Sequence, residues 1–585
     1  MKKNKKLLIV VLFSLTFLSA CDSQMDVMPD TKIAESSELF NNESSLTSLT
    51  NGLYQNIDYS AILNDNTSDN MAYINTPPAI RWGQYTQPTA LGSGGWSWSE
   101  LRQINYIIYN INRYTKSDDL KHEHLGIAKF FRAWFYFKKV KAFGDVPWYS
   151  KPLSTTDDSL LYKKRDSRIL IVNNILSDLD YSIRYLSSDK SLNKITRWTA
   201  LALKSRVSLY EGTWRIYHTY ADLPGGKDLL DTCIEASKEL MQSGEYKIYS
   251  TGDPEDDYKN MFLATTANSD ETILAKSFSE ASLFSYTPQF ISTSNGNYGA
   301  TNSLVSDYPM LDGQSYYSQE SGQLSEVKYY DEFQNRDYRL SASIKGPGYI
   351  RPGTTTTSIN DFSENATGYQ VVKRVGPPSE DQGGDRRDVI LFRYAEVLLN
   401  YAEARAILGE LNQNDLDLTI NVLRKRAGVP LLTYPLHTDL LQLQRYTRTK
   451  SADILEVCRA RRIELAFEGF RTDDLIRWNE GQLFRSKDYG IFIPNENEYI
   501  DLDNDGKYDL YVVPFGGSVP SPKISGVQYF KLSAVNALSE GTRGRLIPYR
   551  WDVPAFQNYE YLKPIPIEEL TLNPNLIQNP DWSSK

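Results

Sequence analysis

Histidine, cysteine and methionine are scarce in this 585-residue chain, at 4, 3 and 7 residues. The histidines, His122, His124, His218 and His437, fall in no metal-ligand spacing such as HExxH, which argues against a metalloenzyme of that motif. There is no glycine-rich phosphate loop and no GxSxG turn, which removes two large motif-defined enzyme classes. A glycosidase needs only two carboxylates, and 73 acidic residues leave that class open. Basic charge is also in deficit, with 64 Lys and Arg and a formal net charge of -9. That balance argues against nucleic acid as a partner and favours neutral over polyanionic ligands. Long apolar runs are missing too: the longest, Leu7 to Phe17, has 11 residues, where a membrane span needs about 20. What the chain has in excess is aromatic, with 40 Tyr and 10 Trp. Such side chains pack cores, and they also offer flat apolar faces with a polar edge, suited to sugars or peptides.

The apolar run follows Lys2, Lys3, Lys5 and Lys6 and leads into Leu18-Ser19-Ala20-Cys21. A basic start, a short apolar core and small residues before a cleavage point make residues 1–20 a signal peptide. Cys21 stands where a bacterial lipoprotein carries its acylated cysteine, and each buried lipid methylene adds about 0.8 kcal/mol of membrane affinity. Cleavage removes four lysines and no acid, lowering the formal charge to -13. Residues 21–35 read as a flexible polar tether. The other cysteines, Cys233 and Cys458, sit in helical patterns and are expected as buried free thiols.

Helical periodicity comes in paired blocks: Ser99–Lys116, His124–Phe143, Ile169–Leu186, Thr196–Gly212 and Leu229–Ser243. Turn residues close each block, Gly212 and Gly244 among them. After residue 252 the period fades into Gly, Ser, Thr, Asn and Tyr, and helices resume at Asp388–Gly409, Leu416–Ala427 and Ser451–Glu468. The expected fold is mainly α: a tetratricopeptide-like scaffold of helical pairs with a large loop-rich lobe and few short strands. Residues 36–585 are expected to form a single domain. Its helical scaffold covers about 99–250 and 388–480, its lobe about 251–387, and an irregular region 481–585.

Several stretches are specific: RAWFYFKKVKAFGDVPW at 132–148, RDYRL at 336–340, RYAEVLLNYAEA at 393–404, RRIELAFEGFRTDDLIRW at 461–478 and KPIPIEELTLNPNLIQNP at 563–580. In this order, behind a lipoprotein signal, the chain resembles the SusD/RagB family of Bacteroidetes surface lipoproteins. The resemblance implies a SusD-like fold and a non-catalytic protein, anchored by lipid to the outer membrane and facing the exterior. It implies capture of a glycan and delivery to a SusC-like TonB-dependent transporter, with no organic cofactor. Peptide capture, as in the RagB branch, is the alternative, and a surface glycoside hydrolase a more distant one. The charged residues Glu464, Glu468, Arg471, Asp474 and Arg477 are read as an internal ion-pair network rather than a catalytic set.

In such proteins the ligand surface is built from early loops and the irregular lobe. Here the first such region, Asp65 to Trp98, offers Tyr73, Arg81, Trp82, Tyr85 and Trp96, with glycines 92, 94 and 95 expected to present Trp96 outward. Trp98 opens a helix and is expected to pack. The second region, Phe284 to Tyr317, offers Tyr286, Tyr298 and Tyr316. Flat rings stack on sugar C–H faces while a neighbouring arginine bonds hydroxyls. Separately, DLDNDGKYD at 501–509 places Asp501, Asp503, Asp505, the Lys507 carbonyl and Asp509 as ligands of a structural Ca2+. Position twelve is Val512, so the loop is not an EF-hand.

Overall fold

The computed structural model describes residues 40, 42–59, 65–73, 78–278, 298–316, 326–363, 365–381 and 385–582. The signal segment, Cys21, the tether and Tyr286 lie outside these. Helices dominate the described chain: α1 (Glu43–Gly52), α2 (Ser99–Asn110), α3 (Asp118–Phe143), α4 (Arg168–Tyr185), α5 (Arg197–Tyr217), α6 (Gly226–Gln242), α7 (Tyr394–Leu408), α8 (Ala452–Glu464) and α9 (Arg471–Arg477), with shorter turns between. None is long and apolar enough to cross a membrane among the described residues.

Local chemistry sets these boundaries. Ser117 caps α3 by accepting from the Leu120 N–H, and Asp118 and Asp119 complement the helix dipole in its first turn. Gly144 ends it with φ +72, a conformation that a side chain disfavours. Thr196 and Thr199 form a reciprocal capping box at the start of α5. The middle of α3 is aromatic on more than one face, with Phe130, Phe131, Phe135, Tyr136 and Phe137 all buried, as befits a helix packed on several sides. It packs against α2 and α4; α5 packs against α4 and α6, and α7 against α6 and α8. This succession is the helical-pair scaffold.

Several helical boundaries differ from the periodic pattern: α3 starts at Asp118, six residues before the expected His124, the block Leu416–Ala427 breaks at Thr419, and α8 ends at Glu464 rather than Glu468. Gly212 does not end α5, which runs on to Tyr217. A Cβ on Gly212 would lie 2.9 Å from Leu230 Cδ2, so the glycine is there for a close helix crossing. The block beginning at Asp388 starts as a strand, β4 (Val389–Arg393), antiparallel to β2 (Thr272–Lys276). Its VILFR run forms a ladder before α7 begins, and a short apolar run carries no period to separate the two states.

The lobe and the C-terminal region contribute small sheets. β1 (Met71–Tyr73) pairs antiparallel with β3 (Tyr298–Ala300). β5 (Phe492–Ile493), β10 (Gly544–Ile547) and β9 (Ala537–Leu538) form one sheet in that order; β6 (Tyr499–Ile500), β7 (Leu510–Val513) and β8 (Gln528–Lys531) form another, β7 and β8 being parallel. A second core, with Met71, Tyr308, Tyr369, Leu510 and Leu546, lies beneath them.

The expected ion-pair network is present and buried. Glu464 meets Arg339, Arg393 and Arg426, Glu468 meets Arg393 and Lys373, Arg471 meets Asp69, and Asp474 meets Arg461 and Arg477. Three guanidiniums overcome the burial that would raise the Glu464 pKa and hold it well below the usual carboxylate range. Cys233 and Cys458 are buried free thiols.

Candidate functional site

Strand pairing joins the two aromatic regions. In the β1–β3 register Tyr73 stands opposite Tyr298, which puts both rings on one face. Their centroids are 4.6 Å apart at 31°, and Asn66 Nδ2 donates to the Tyr298 hydroxyl at 3.0 Å. Both tyrosines are half-buried. Gly299 between them permits the close approach of the next segment: a Cβ would lie 2.1 Å from Thr367 Oγ1.

A second aromatic group is built on the single turn Ala79–Trp82, which Gly83 closes at φ +68. Trp82 is half-buried, and its ring lies 5.1 Å from Trp551, which stacks at 5.1 Å and 14° on Tyr549. Beneath them Arg81 is 2% exposed and pairs with Asp488, which also accepts from the Tyr549 hydroxyl at 2.7 Å. Burial alone would lower the Arg81 pKa; the Asp488 carboxylate holds it up. Just beyond β3, the Asn302 N–H donates to the Tyr489 carbonyl at 2.7 Å. The chain carrying Tyr298 is thereby tied to the residue after Asp488.

The remaining candidates serve other ends. Trp96 is 2% exposed and stands edge-on to Trp98 at 5.6 Å and Phe143 at 4.8 Å, so it is a core residue and not an outward one. Its glycine-rich loop is folded inward: Lys139 Nζ donates to the Gly95 carbonyl at 2.6 Å, and the Gly92 N–H to Glu569 at 2.8 Å. The Arg81 guanidinium is likewise committed to Asp488 rather than presented to a ligand. Tyr85 packs edge-on against Trp582 at 6.0 Å. Tyr316 covers the Arg336 guanidinium at 3.7 Å. Trp551 and Tyr549 were not among the expected residues; the aromatic run Tyr549-Arg550-Trp551 was their one mark in the sequence.

The acidic loop joins β6 to β7. Asp501, Asp503 and Asp509 bring one carboxylate oxygen each to within 4.8 Å of one another, a group able to hold a metal ion. Burial and the neighbouring negative charges raise the pKa values of Asp503 and Asp509, the electrostatic situation that a cation relieves. Asp505 is drawn aside by the Lys507 ammonium at 2.7 Å, so the triad omits it.

Comparison with known proteins now places the chain. Residues 255–582 match the model of the SusD family, and residues 24–209 match a second, described as starch-binding associating with outer membrane. The chain belongs to the SusD family. It is 24% identical over 510 residues to the SusD-like protein P38 of Formosa agariphila, covering 82% of this chain and 92% of that one. Its fold matches a SusD-like protein of Bacteroides fragilis with TM-score 0.68 and 22% identity, covering 94% of this chain and 99% of that one. It also matches a SusD-like carbohydrate binding protein of the same species with TM-score 0.65 and 20% identity, covering 92% and 100%.

Proposed function

We propose that this protein is a non-catalytic carbohydrate-binding lipoprotein of the outer membrane, held by a lipid on Cys21. It captures an oligosaccharide or polysaccharide at the cell surface and passes it to a SusC-like TonB-dependent transporter. The observation that carries the reading is the pairing of Tyr73 with Tyr298, which brings one ring from each loop region onto a shared half-buried face. Trp82, backed by Trp551 and Tyr549, extends the aromatic material. Family membership supports the reading, as do the starch-binding description of the model matching residues 24–209 and the carbohydrate-binding relative in Bacteroides fragilis. Stacked rings with few free charges suit the C–H faces of a neutral glycan.

The β6–β7 loop in this reading holds a structural Ca2+ through Asp501, Asp503 and Asp509, a hard cation on carboxylate oxygens. When bound, the ion neutralises three crowded carboxylates and fixes the turn.

Affinity electrophoresis tests the function. The chain from Asp22 onward is run through gels each containing one polysaccharide, beside Tyr73→Ala and Trp551→Ala variants. Retardation by a polymer, reduced in folded variants, is the expected result. Free migration in every gel of a broad neutral and acidic panel overturns glycan capture and leaves peptide ligands as the reading to test.

A further inference from the structure

Buried arginines in this protein pair with carboxylates almost wherever they occur: Arg339 with Asp337 and Glu464, Arg462 with Asp69 and Asp307, Arg477 with Glu403 and Asp474. Arg336 and Arg374 break that rule. Arg336 is 3% exposed, and its guanidinium donates only to the backbone carbonyls of Glu332, Val305 and Tyr308, at 2.6 to 2.7 Å. Its Nε has no partner. Arg374 is 6% exposed and donates from Nη2 to the Asp388 carbonyl at 3.2 Å, while Nη1 has no partner. Its backbone is held at φ +68, a costly conformation outside glycine. Among the described residues neither guanidinium has a carboxylate within ion-pair distance.

Both arginines line the same cavity, of about 560 Å3, within the range of small-molecule sites. Phe333, Tyr338 and Tyr349 supply aromatic wall, and Gly346 keeps it open beside Phe333, where a Cβ would lie 2.7 Å from the ring. The rim carries Glu255, Asp256 and Lys259, the last two paired at 3.2 Å. Charge is therefore arranged by depth, acid at the rim and two uncompensated cations within. Desolvation depresses both guanidiniums, Arg374 to about 10, and the more distant carboxylates, Asp385 for Arg374 and Glu332 for Arg336, offset that burial only in part. A smaller space of about 10 Å3 beside Arg374 has room for about one water, and it does not reach Arg336.

We propose that this cavity is a second ligand site, which takes a small molecule with a carboxylate on a ring-sized body. The carboxylate is held by the positive charges of Arg374 and Arg336 in the cavity wall, and the ring lies against Tyr349 and Phe333. A charge-assisted contact with a buried guanidinium is among the stronger neutral-pH contacts available, and here it supplies the counter-charge that neither arginine has within ion-pair distance. The inference does not depend on glycan capture at Tyr73 and Tyr298. Its ligand chemistry has two sources, the uronic acid of an acidic saccharide and a free organic acid.

Titration calorimetry on the full chain in detergent uses three probes: glucuronate, acetate and glucose. Glucuronate is expected to bind saturably and glucose not at all. Arg374→Gln is expected to weaken glucuronate at least tenfold. Ser341→Glu, which adds a negative charge at an exposed position on the cavity wall, is expected to weaken it similarly without touching the buried arginines. Trp551→Ala leaves it unchanged. Acetate binding as tightly as glucuronate assigns the site to free carboxylates; a tenfold preference for glucuronate assigns it to uronic acids. No uptake of either anion, equal binding of glucose, or unchanged affinity in both folded variants overturns the proposal.

Discussion

Gly212 and Gly226 face one another where α5 and α6 cross. A Cβ on Gly212 would lie 3.0 Å from the Gly226 carbonyl, and a Cβ on Gly226 would lie 3.1 Å from the Gly212 carbonyl. Helix propensity alone favours Gly212→Ala by about 1 kcal/mol, yet overpacking at a fixed backbone contact costs about 1–3 kcal/mol. Gly212→Ala should therefore bring no gain, and the bulkier Gly212→Val a clear fall in the urea-unfolding midpoint. An unchanged midpoint for Gly212→Val would show that the two helices separate freely.

Trp96 and Trp551 should respond oppositely to truncation. Trp96 is wedged in the helical core, so Trp96→Ala is expected to cost about 3–5 kcal/mol of stability. Trp551 is half-buried on the aromatic surface, so Trp551→Ala should keep most of the stability and lose polysaccharide retardation. Thermal melts and affinity gels on the same two variants separate core from surface; the reverse pattern would move the binding surface to the glycine-rich loop.

Acid should weaken the fold through His218. Its ring is buried, stacks on Trp214 at 3.7 Å and hydrogen-bonds the Ile476 carbonyl at 2.7 Å. Burial lowers its pKa to about 3 from the ordinary 6.5. The unfolded chain binds this proton first as pH falls, so the contribution is complete above about 6.5 and is lost on descent towards 3. Between about pH 7 and pH 4 the loss from this group is on the order of 2–4 kcal/mol. The slope of unfolding free energy against pH should be shallower in His218→Gln than in the parent; equal slopes would remove His218 as its source.

Calcium should raise the melting temperature, and Asp503→Asn with Asp509→Asn should abolish the rise. Binding to the folded state alone adds about 2.7 kcal/mol at a hundredfold excess over Kd. The same shift with magnesium, whose geometry is stricter, or a shift that survives both substitutions, would argue for non-specific screening.

The helices could be read from the sequence because their signals are local. The apolar period of Leu101, Ile104 and Ile107 lies within a few residues of the helix it determines, whereas the polar first turn of α3 after Ser117 carries no such period and the block reads as starting only at His124. The ion pairs of Glu464 and Glu468 were likewise marked by alternating charge. What could not be read was long-range. A glycine that ends a helix and one that lets another helix approach look alike, so the local pattern reads Gly212 as a stop. Gly92, Gly94 and Gly95 permit a loop to turn in or out; the choice is made by Lys139, Glu568 and Glu569, far along the chain. Trp551 faces Trp82 only because the C-terminal region folds back over the first loops, and nothing near either residue encodes that meeting.

Arg81 and Asp488 are separated by 407 positions, and this has a bearing on when the aromatic surface exists. A chain complete only as far as α9 leaves Arg81 without its carboxylate and Trp82 without its backing ring. A buried charge deprived of its partner costs about 3–5 kcal/mol, so the first loops gain their shape only once the last hundred residues arrive. On the proposed reading, a chain that lacks those residues has no aromatic platform with which to hold a glycan.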